Sequence, residues 1–86
     1  MYSVRLSDKA AKELDKINER DYHKIRSKLI SLEINPKPMG SIKLKGEFGY
    51  RVRIGDYRIL YEVDEKNKVL YIYRVEHRKD VYRKKR

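Results

Sequence analysis

Cysteine is absent from this 86-residue sequence, and histidine occurs only twice. Without cysteine the chain has no disulfide, no thiolate nucleophile and no cysteine-based zinc site. Two histidines are too few for a histidine-rich metal centre, so we expect neither a metal nor another cofactor. No stretch approaches the roughly 18 apolar residues that a membrane span requires, and the first residues lack the apolar core of a signal peptide. These absences predict a soluble, cytoplasmic protein.

Negative charge is also scarce, because 23 Lys and Arg residues face only 13 Asp and Glu, which leaves a net charge of +10. Solubility alone needs a magnitude of roughly 2 to 8 for a small domain. The excess predicts attraction to polyanions, with nucleic acid as the expected partner. A membrane surface is a weaker alternative, since no helix pairs a basic face with a bulky aromatic one. The length suits a single domain, 1–86, with one modest core.

The N-terminal part of the chain reads as one strand and two helices. Alternation in Met1–Leu6 predicts a short strand, and Ser7 is a suitable N-cap for the first helix. The apolar stripe of that helix lapses near residue 18, and Asp21 can cap a second helix that ends before Asn35-Pro36. The two helices are expected to form an antiparallel hairpin.

A loop over Pro36–Gly46 is followed by three strands with period-two alternation. The fold class predicted is therefore α+β, in the order β-α-α-β-β-β, with the helical hairpin packed on a mainly antiparallel twisted sheet and a short C-terminal helical turn. The residues expected on the core face of the three strands are Tyr50, Val52 and Ile54, then Tyr57, Ile59, Tyr61 and Val63, then Val69, Tyr71, Tyr73 and Val75.

The most informative segment is Tyr50–Val63, whose two alternating runs meet at Gly55-Asp56. A two-residue loop beginning with Gly favours a type II′ turn, which places Arg53 opposite Arg58 in the hairpin. Like charges facing each other destabilise a sheet. At roughly 5 Å between head groups, their Coulomb repulsion is about 0.8 kcal/mol in water and about 3 kcal/mol at an effective dielectric of 20, although splaying of the side chains would relieve much of it. Arg51 adds a third cation to the same face. A face built this way suggests a site for an anion, although solvated arginines on a polar sheet face are the simpler alternative.

The third strand extends this cationic face in the prediction. If the second hairpin closes symmetrically, Arg74 lies beside Arg58. Leu60, Leu70 and Ile72 would share the face, which would then form the floor of a groove, part apolar and part arginine, suited to bases and phosphates.

The C-terminal segment Arg74–Arg86 holds seven Lys and Arg residues. Arg78 and Tyr82 are four residues apart, so a helical turn would place both on one side. A guanidinium beside a phenol can hold a phosphate and stack on a base. The final residues, Arg83–Arg86, are equally compatible with a solvated tail.

The order of elements, the Tyr50–Val63 hairpin and the closing Val-Glu-His-Arg-Lys-Asp-Val-Tyr at 75–82 together resemble the RelE family of toxin–antitoxin systems, from Val4 to Tyr82. The resemblance implies a RelE-like fold similar to microbial ribonucleases. It also implies an mRNA interferase, an endoribonuclease that cuts translated mRNA at the ribosomal A site without a metal. The implied partners are mRNA, the ribosome with its rRNA, and a RelB-like antitoxin.

Carried over by position, the resemblance implies the catalytic residues Arg51, Arg53, Arg58, Arg78 and Tyr82. Further RNA-binding residues are expected at Lys43, Lys45, Arg74, Lys79, Arg83, Lys84 and Lys85. Well-studied relatives have lysines where this chain has Arg51 and Arg53, and arginine does not lose its proton in proteins. The general base is therefore open, with His77, Tyr82 and Glu47 as candidates.

Two other functions remain open from the sequence. A ParE-type toxin shares this fold but inhibits DNA gyrase, and such chains generally lack the full set of basic catalytic positions. A small nucleic-acid-binding module without catalysis would explain the charge alone.

Overall fold

The computed structural model describes residues 1–46 and 48–79 and contains two helices packed on a five-stranded mixed sheet. The sheet order is β1-β5-β4-β3-β2, in which β1 runs parallel to β5 and all other neighbours are antiparallel. The predicted α+β class is confirmed. The elements are β1 (Ser3–Leu6), α1 (Asp8–Asp15), α2 (Glu19–Ile34), β2 (Ile42–Lys43), β3 (Tyr50–Ile54), β4 (Tyr57–Asp64) and β5 (Val69–His77). Within the described ranges, no helix is long and apolar enough to cross a membrane.

Side-chain caps set the helix starts. Ser7 caps α1 as predicted, since its hydroxyl oxygen accepts the Ala10 N–H at 3.0 Å. The predicted cap of α2 was wrong, because the helix begins at Glu19 and Asn18 is its N-cap. The Asn18 side-chain oxygen accepts the N–H of Asp21 at 2.9 Å. Asp21 therefore lies in the first turn of α2, where its charge suits the helix dipole.

The core lies between the two helices and one face of the sheet. Burial of these apolar side chains is the main driving force for packing the helices on the strands. The buried cluster comprises Ala10 and Leu14 of α1, Ile25, Leu29 and Leu32 of α2, and Val52, Ile59, Tyr61, Leu70, Ile72 and Val75 of the sheet.

The segment predicted as a loop contains the short edge strand β2, which pairs with the start of β3. Two residues are too few to produce a readable alternation. The chain then enters β3 through Gly49, which has φ +89°. A Cβ at Gly49 would lie 2.0 Å from the Tyr61 carbonyl oxygen, so only glycine fits this crossing.

A β-bulge in β5 changes which of its side chains face the core. Leu60 is opposite Arg74 while Tyr61 is opposite Ile72, so Tyr73 is the extra residue. The predicted core face of β5 was wrong for Tyr71 and Tyr73, because Val63 pairs with Leu70 and not with Val69, but it is confirmed for Val75, which lies beyond the bulge. The side chains that enter the core are Leu70, Ile72 and Val75, whereas Tyr71 is 45% exposed. Leu70 and Ile72 do not lie on the cationic face, because they pair with the core-facing Val63 and Tyr61.

Candidate active site

The β3–β4 hairpin has the predicted geometry. Ile54 pairs with Tyr57 and Arg53 pairs with Arg58, so Gly55 and Asp56 form the two-residue loop. Gly55 has φ +58° while Asp56 keeps a negative φ, the pattern of a type II′ turn. We call the sheet surface opposite the helices, which carries Arg51, Arg53 and Arg58, the arginine face.

One cross-strand row of the arginine face crosses the three central strands. It consists of Arg53 on β3, Arg58 on β4 and Glu76 on β5. The expected neighbour of Arg58 was Arg74, and this was wrong for two reasons: Val63 pairs with Leu70 and not with Val69 as symmetric closure requires, and the bulge at Tyr73 adds a second one-residue shift. A carboxylate therefore lies beside Arg58 where a third cation was expected.

The neighbouring row of the arginine face is partly apolar. Arg51 lies between the exposed Ile42 of β2 and the buried Leu60 of β4, and Leu60 is followed by Arg74. Of the three apolar residues expected on this face, only Leu60 is present.

Glu76 is the most buried charged side chain of the described sheet, with 4% exposure. Its Oε1 accepts a hydrogen bond from Arg58 Nη2 at 2.7 Å, and its Oε2 lies 3.0 Å from Arg74 Nη1. Two guanidinium groups thus share one buried carboxylate, which satisfies the requirement that a buried charge be paired and hydrogen-bonded.

Arg74 connects this pair to helix α1. Its Nε and Nη2 donate to Glu13 Oε2 at 3.1 and 2.9 Å, and Glu13 Oε1 accepts the backbone N–H of Val75 at 2.7 Å. The Arg74 side chain is only 15% exposed. Arg74, predicted to bind RNA, is placed inside the protein's own ion-pair network, and that role stays a prediction.

Arg51 and Arg53 differ from Arg58 in their partners. Among the described residues, neither is paired with a carboxylate. Burial lowers the pKa of Arg51, and the charges of Arg53 and Arg58 lower it further. All three remain cationic, because arginine stays protonated at any pH a protein tolerates. The register places the three positive charges at neighbouring positions of one sheet face.

Arg78 lies at the end of β5, beside the Gly55-Asp56 turn. Its backbone N–H donates to the Asp56 carbonyl oxygen at 2.9 Å, and its guanidinium lies 3.6 Å from Asp56 Oδ1. Both side chains are more than half exposed, and an exposed ion pair of this length contributes little. Arg78 is therefore at the same end of the sheet as Arg58 and accessible to a ligand.

His77 lies on the helix side of the sheet, away from the arginine face. It pairs with Tyr57, whose ring it meets edge-on at 5.0 Å between centroids, and its Nδ1 accepts the Lys79 N–H at 3.1 Å. It lines a groove of about 500 Å³ together with lysines of α1, namely Lys9, Lys12 and Lys16. The structure does not bring His77 together with the arginines, so its role as acid or base stays a prediction.

The remaining predicted residues divide by position. Lys43 on β2 and Lys45 in the following loop are exposed, as is Lys79 at the end of β5. Tyr82, Arg83, Lys84, Lys85 and the alternative base Glu47 lie outside the described residues.

Two functional candidates were missed by the sequence reasoning, Glu13 and Glu76. Glu76 occurs between Arg74 and Arg78 on a strand beside Arg58, and this spacing is the signal that could have identified it. Glu13 has no comparable signal, because a glutamate on the surface of a short helix is ordinary in sequence.

The candidate site combines cations on a rigid sheet with a surface that a ligand can reach. Guanidinium groups bind phosphate oxygens through paired N–H donors and keep their charge throughout. Donors fixed in advance stabilise negative charge that develops during a reaction, because they need no reorganisation at that moment. The arginine face can therefore bind a phosphodiester and stabilise additional negative charge on it.

The sequence matches a known toxin family over most of its length. Residues 4–82 match the sequence-family model for the ParE toxin of the type II toxin–antitoxin system parDE. The chain belongs to the RelE/ParE superfamily of type II toxins. A relative, Toxin RelG of Mycobacterium tuberculosis, is 32% identical over 93 residues, which cover 96% of this chain and 98% of that protein.

Solved structures of RelE toxins have the same fold. The archaeal RelE–RelB complex from Pyrococcus horikoshii gives a TM-score of 0.79 at 32% identity, covering 90% of this chain and 94% of that one. The isolated Escherichia coli RelE toxin also gives 0.79, at 23% identity, covering 99% and 95% of the two chains. The RelE-like fold expected from the sequence is confirmed.

Proposed function

We propose that this RelE/ParE-superfamily toxin is a ribosome-dependent endoribonuclease that cuts mRNA in the ribosomal A site and so inhibits translation. The observation that carries the proposal is the cross-strand pair Arg53–Arg58 with Arg51 beside it. Three guanidinium groups converge there on a partly apolar face, at a cost to the sheet that a bound RNA phosphate would offset.

The proposed reaction breaks the bond between phosphorus and the 5′-oxygen of the next nucleotide. The neighbouring 2′-hydroxyl loses its proton and attacks the phosphorus, the negative charge on the phosphorane oxygens rises, and the departing 5′-oxygen receives a proton. Arg53 and Arg58 are proposed to stabilise the phosphorane, with Arg51 and Arg78 on adjacent phosphates. Removing one such donor typically costs about 2.7 to 4 kcal/mol of transition-state stabilisation.

A RelB-like antitoxin is the proposed protein partner. Relatives of this chain have been solved in RelE–RelB complexes, including the one from Pyrococcus horikoshii. A net charge of +10 favours an acidic segment as the covering element. Binding of such a segment across the arginines would neutralise the proposed site in the cytoplasm, where ribosomes are encountered.

The direct experiment uses the purified full chain with ribosomes programmed with a defined mRNA. We expect cuts within the codon in the A site, mapped by primer extension, and no comparable cutting of the same mRNA without ribosomes. Absence of cutting by the full chain on programmed ribosomes would contradict the proposal.

Inhibition of DNA gyrase is the second candidate, because the matching family model describes a ParE toxin. Expression of the chain in cells separates the two functions. A DNA-damage response without cuts in translated mRNA would support the gyrase reading. If neither effect is observed, a nucleic-acid-binding module without catalysis becomes the remaining candidate.

A further inference from the structure

We infer that Glu76 is a positioning residue of the proposed nuclease site, which orients the Arg58 guanidinium toward the scissile phosphate. The inference rests on the proposed function and deepens it. Glu76 is a carboxylate directly beside the cation expected to bind an anion. Its negative charge weakens anion binding, so its presence there indicates a different role.

The first argument is the geometry of the contact. Glu76 engages Arg58 through a single nitrogen, Nη2, at 2.7 Å. The Arg58 Nε is buried and has no hydrogen-bond partner within the described part of the chain. Glu76 therefore holds one corner of the guanidinium and leaves Nη1 outside the Glu76 contact. The Arg58 side chain keeps 24% exposure, so a ligand can approach it.

The second argument is that Glu76 itself is fixed. Its other oxygen is held by Arg74, which is held in turn by Glu13 of α1, and Glu13 accepts a backbone N–H of β5. Each link is at most 20% exposed, apart from Arg58 at its outer end. The network runs from the first helix through the sheet to the arginine face and fixes the Arg58 guanidinium in one place.

The third argument is electrostatic. Arg58 and Arg74 together with Glu13 and Glu76 form a neutral set of four charges, so Glu76 reduces the attraction of Arg58 for RNA. A residue retained only to improve binding would not do this. If Glu76 positions Arg58, removing the negative charge of Glu76 should leave RNA binding equal or tighter and should slow RNA cleavage.

The test compares Glu76→Gln with Glu62→Gln. Both substitutions remove one negative charge from the arginine face, but Glu62 is exposed and lies four residues from Arg58. Single-turnover cleavage on programmed ribosomes gives the rate at saturation, and binding of a 2′-O-methyl RNA oligonucleotide gives the affinity. Nuclear magnetic resonance relaxation of the Arg58 Nε–H reports the order of the guanidinium without any cleavage.

For Glu76→Gln, the cleavage rate at saturation should fall about ten- to a hundredfold relative to Glu62→Gln, the effect of misplacing a catalytic group by about 1 Å. RNA affinity should be equal or higher, and the Arg58 Nε–H should become more mobile. Glu76→Asp, which keeps the charge but shortens the side chain, should have an intermediate rate. If Glu76→Gln does not fold, the rate and mobility in Glu76→Asp decide the same question.

Equal cleavage rates and an equally ordered Arg58 in both Gln variants would overturn the inference. A parallel loss of rate and affinity would also overturn it, because that is the signature of a structural residue. If the unmodified protein does not cut RNA at all, the proposed function fails. Independently of cleavage, an Arg58 Nε–H that stays as ordered in Glu76→Gln as in the unmodified protein would show that Glu76 does not position Arg58.

Discussion

The two pairs of arginines on this sheet are treated differently by the fold. Arg58 and Arg74 share the buried Glu76, whereas Arg51 and Arg53 have no carboxylate partner among the described residues. The first pair is held in place by the protein, and the second pair is available to the RNA that we propose as the ligand. In the proposed site, the unpaired cations would attract an anion and the paired cations would give it a defined position.

Arg58 should show the largest effect, since it belongs to the paired set and faces Arg53. In Arg58→Ala, we expect RNA cleavage on programmed ribosomes to fall at least about a hundredfold. The free energy of unfolding should also fall, by about 1 to 3 kcal/mol, because the buried Glu76 loses its hydrogen bond to Arg58. Single-turnover kinetics and urea unfolding measure the two effects. An unchanged stability would show that the Arg58–Glu76 contact contributes nothing to folding.

Arg74 tests the contribution of the paired set to folding stability. In Arg74→Met, the free energy of unfolding should fall by about 3 kcal/mol, because Glu13 and Glu76 both lose a partner in a mostly buried setting. Lys37→Met is the matched control. It breaks the Lys37–Glu65 pair, which is as short at 2.7 Å but exposed, and should change stability little. Equal losses of unfolding free energy in Arg74→Met and Lys37→Met would show that the buried ion pairs stabilise the fold no more than the exposed pair does.

Arg53 tests the unpaired set and should have the smallest effect on stability. In Arg53→Gln, the free energy of unfolding should change by no more than about 0.5 kcal/mol or rise, since a cross-strand repulsion is removed. RNA binding should weaken, and the salt dependence of log K should flatten by about one unit. Lys24→Gln on α2 removes the same charge from the helix layer and should leave that slope unchanged. A marked loss of stability in Arg53→Gln would mean that Arg53 is a structural residue.

Much of the site could be predicted because a two-residue turn fixes the register on both sides of it. Gly55-Asp56 determines that Arg53 faces Arg58, and no tertiary information is needed for that pairing. The apolar stripes of α1 and α2 similarly determine the helix faces, with Leu14 and Ile25 buried as periodicity predicts.

The second hairpin could not be read in the same way. The bulge at Tyr73 shifts every later residue of β5 by one position relative to β4, and nothing in the apolar run around it marks the extra residue. The register is already displaced by one residue before the bulge, because Val63 pairs with Leu70 and not with Val69, and the two shifts together place Glu76 instead of Arg74 beside Arg58. The Glu13–Arg74 contact was equally unreadable, because it joins residues 61 positions apart through tertiary packing.

The placement of RNA on the arginine face is tested most directly by side-chain nuclear magnetic resonance of the full chain titrated with a non-cleavable 2′-O-methyl RNA. The account predicts that the Nε–H signals of Arg51, Arg53 and Arg58 shift together at one affinity, while the His77 ring on the opposite face shows no comparable change. Shifts confined to His77 and the lysines of α1, with the three arginines unaffected, would contradict it.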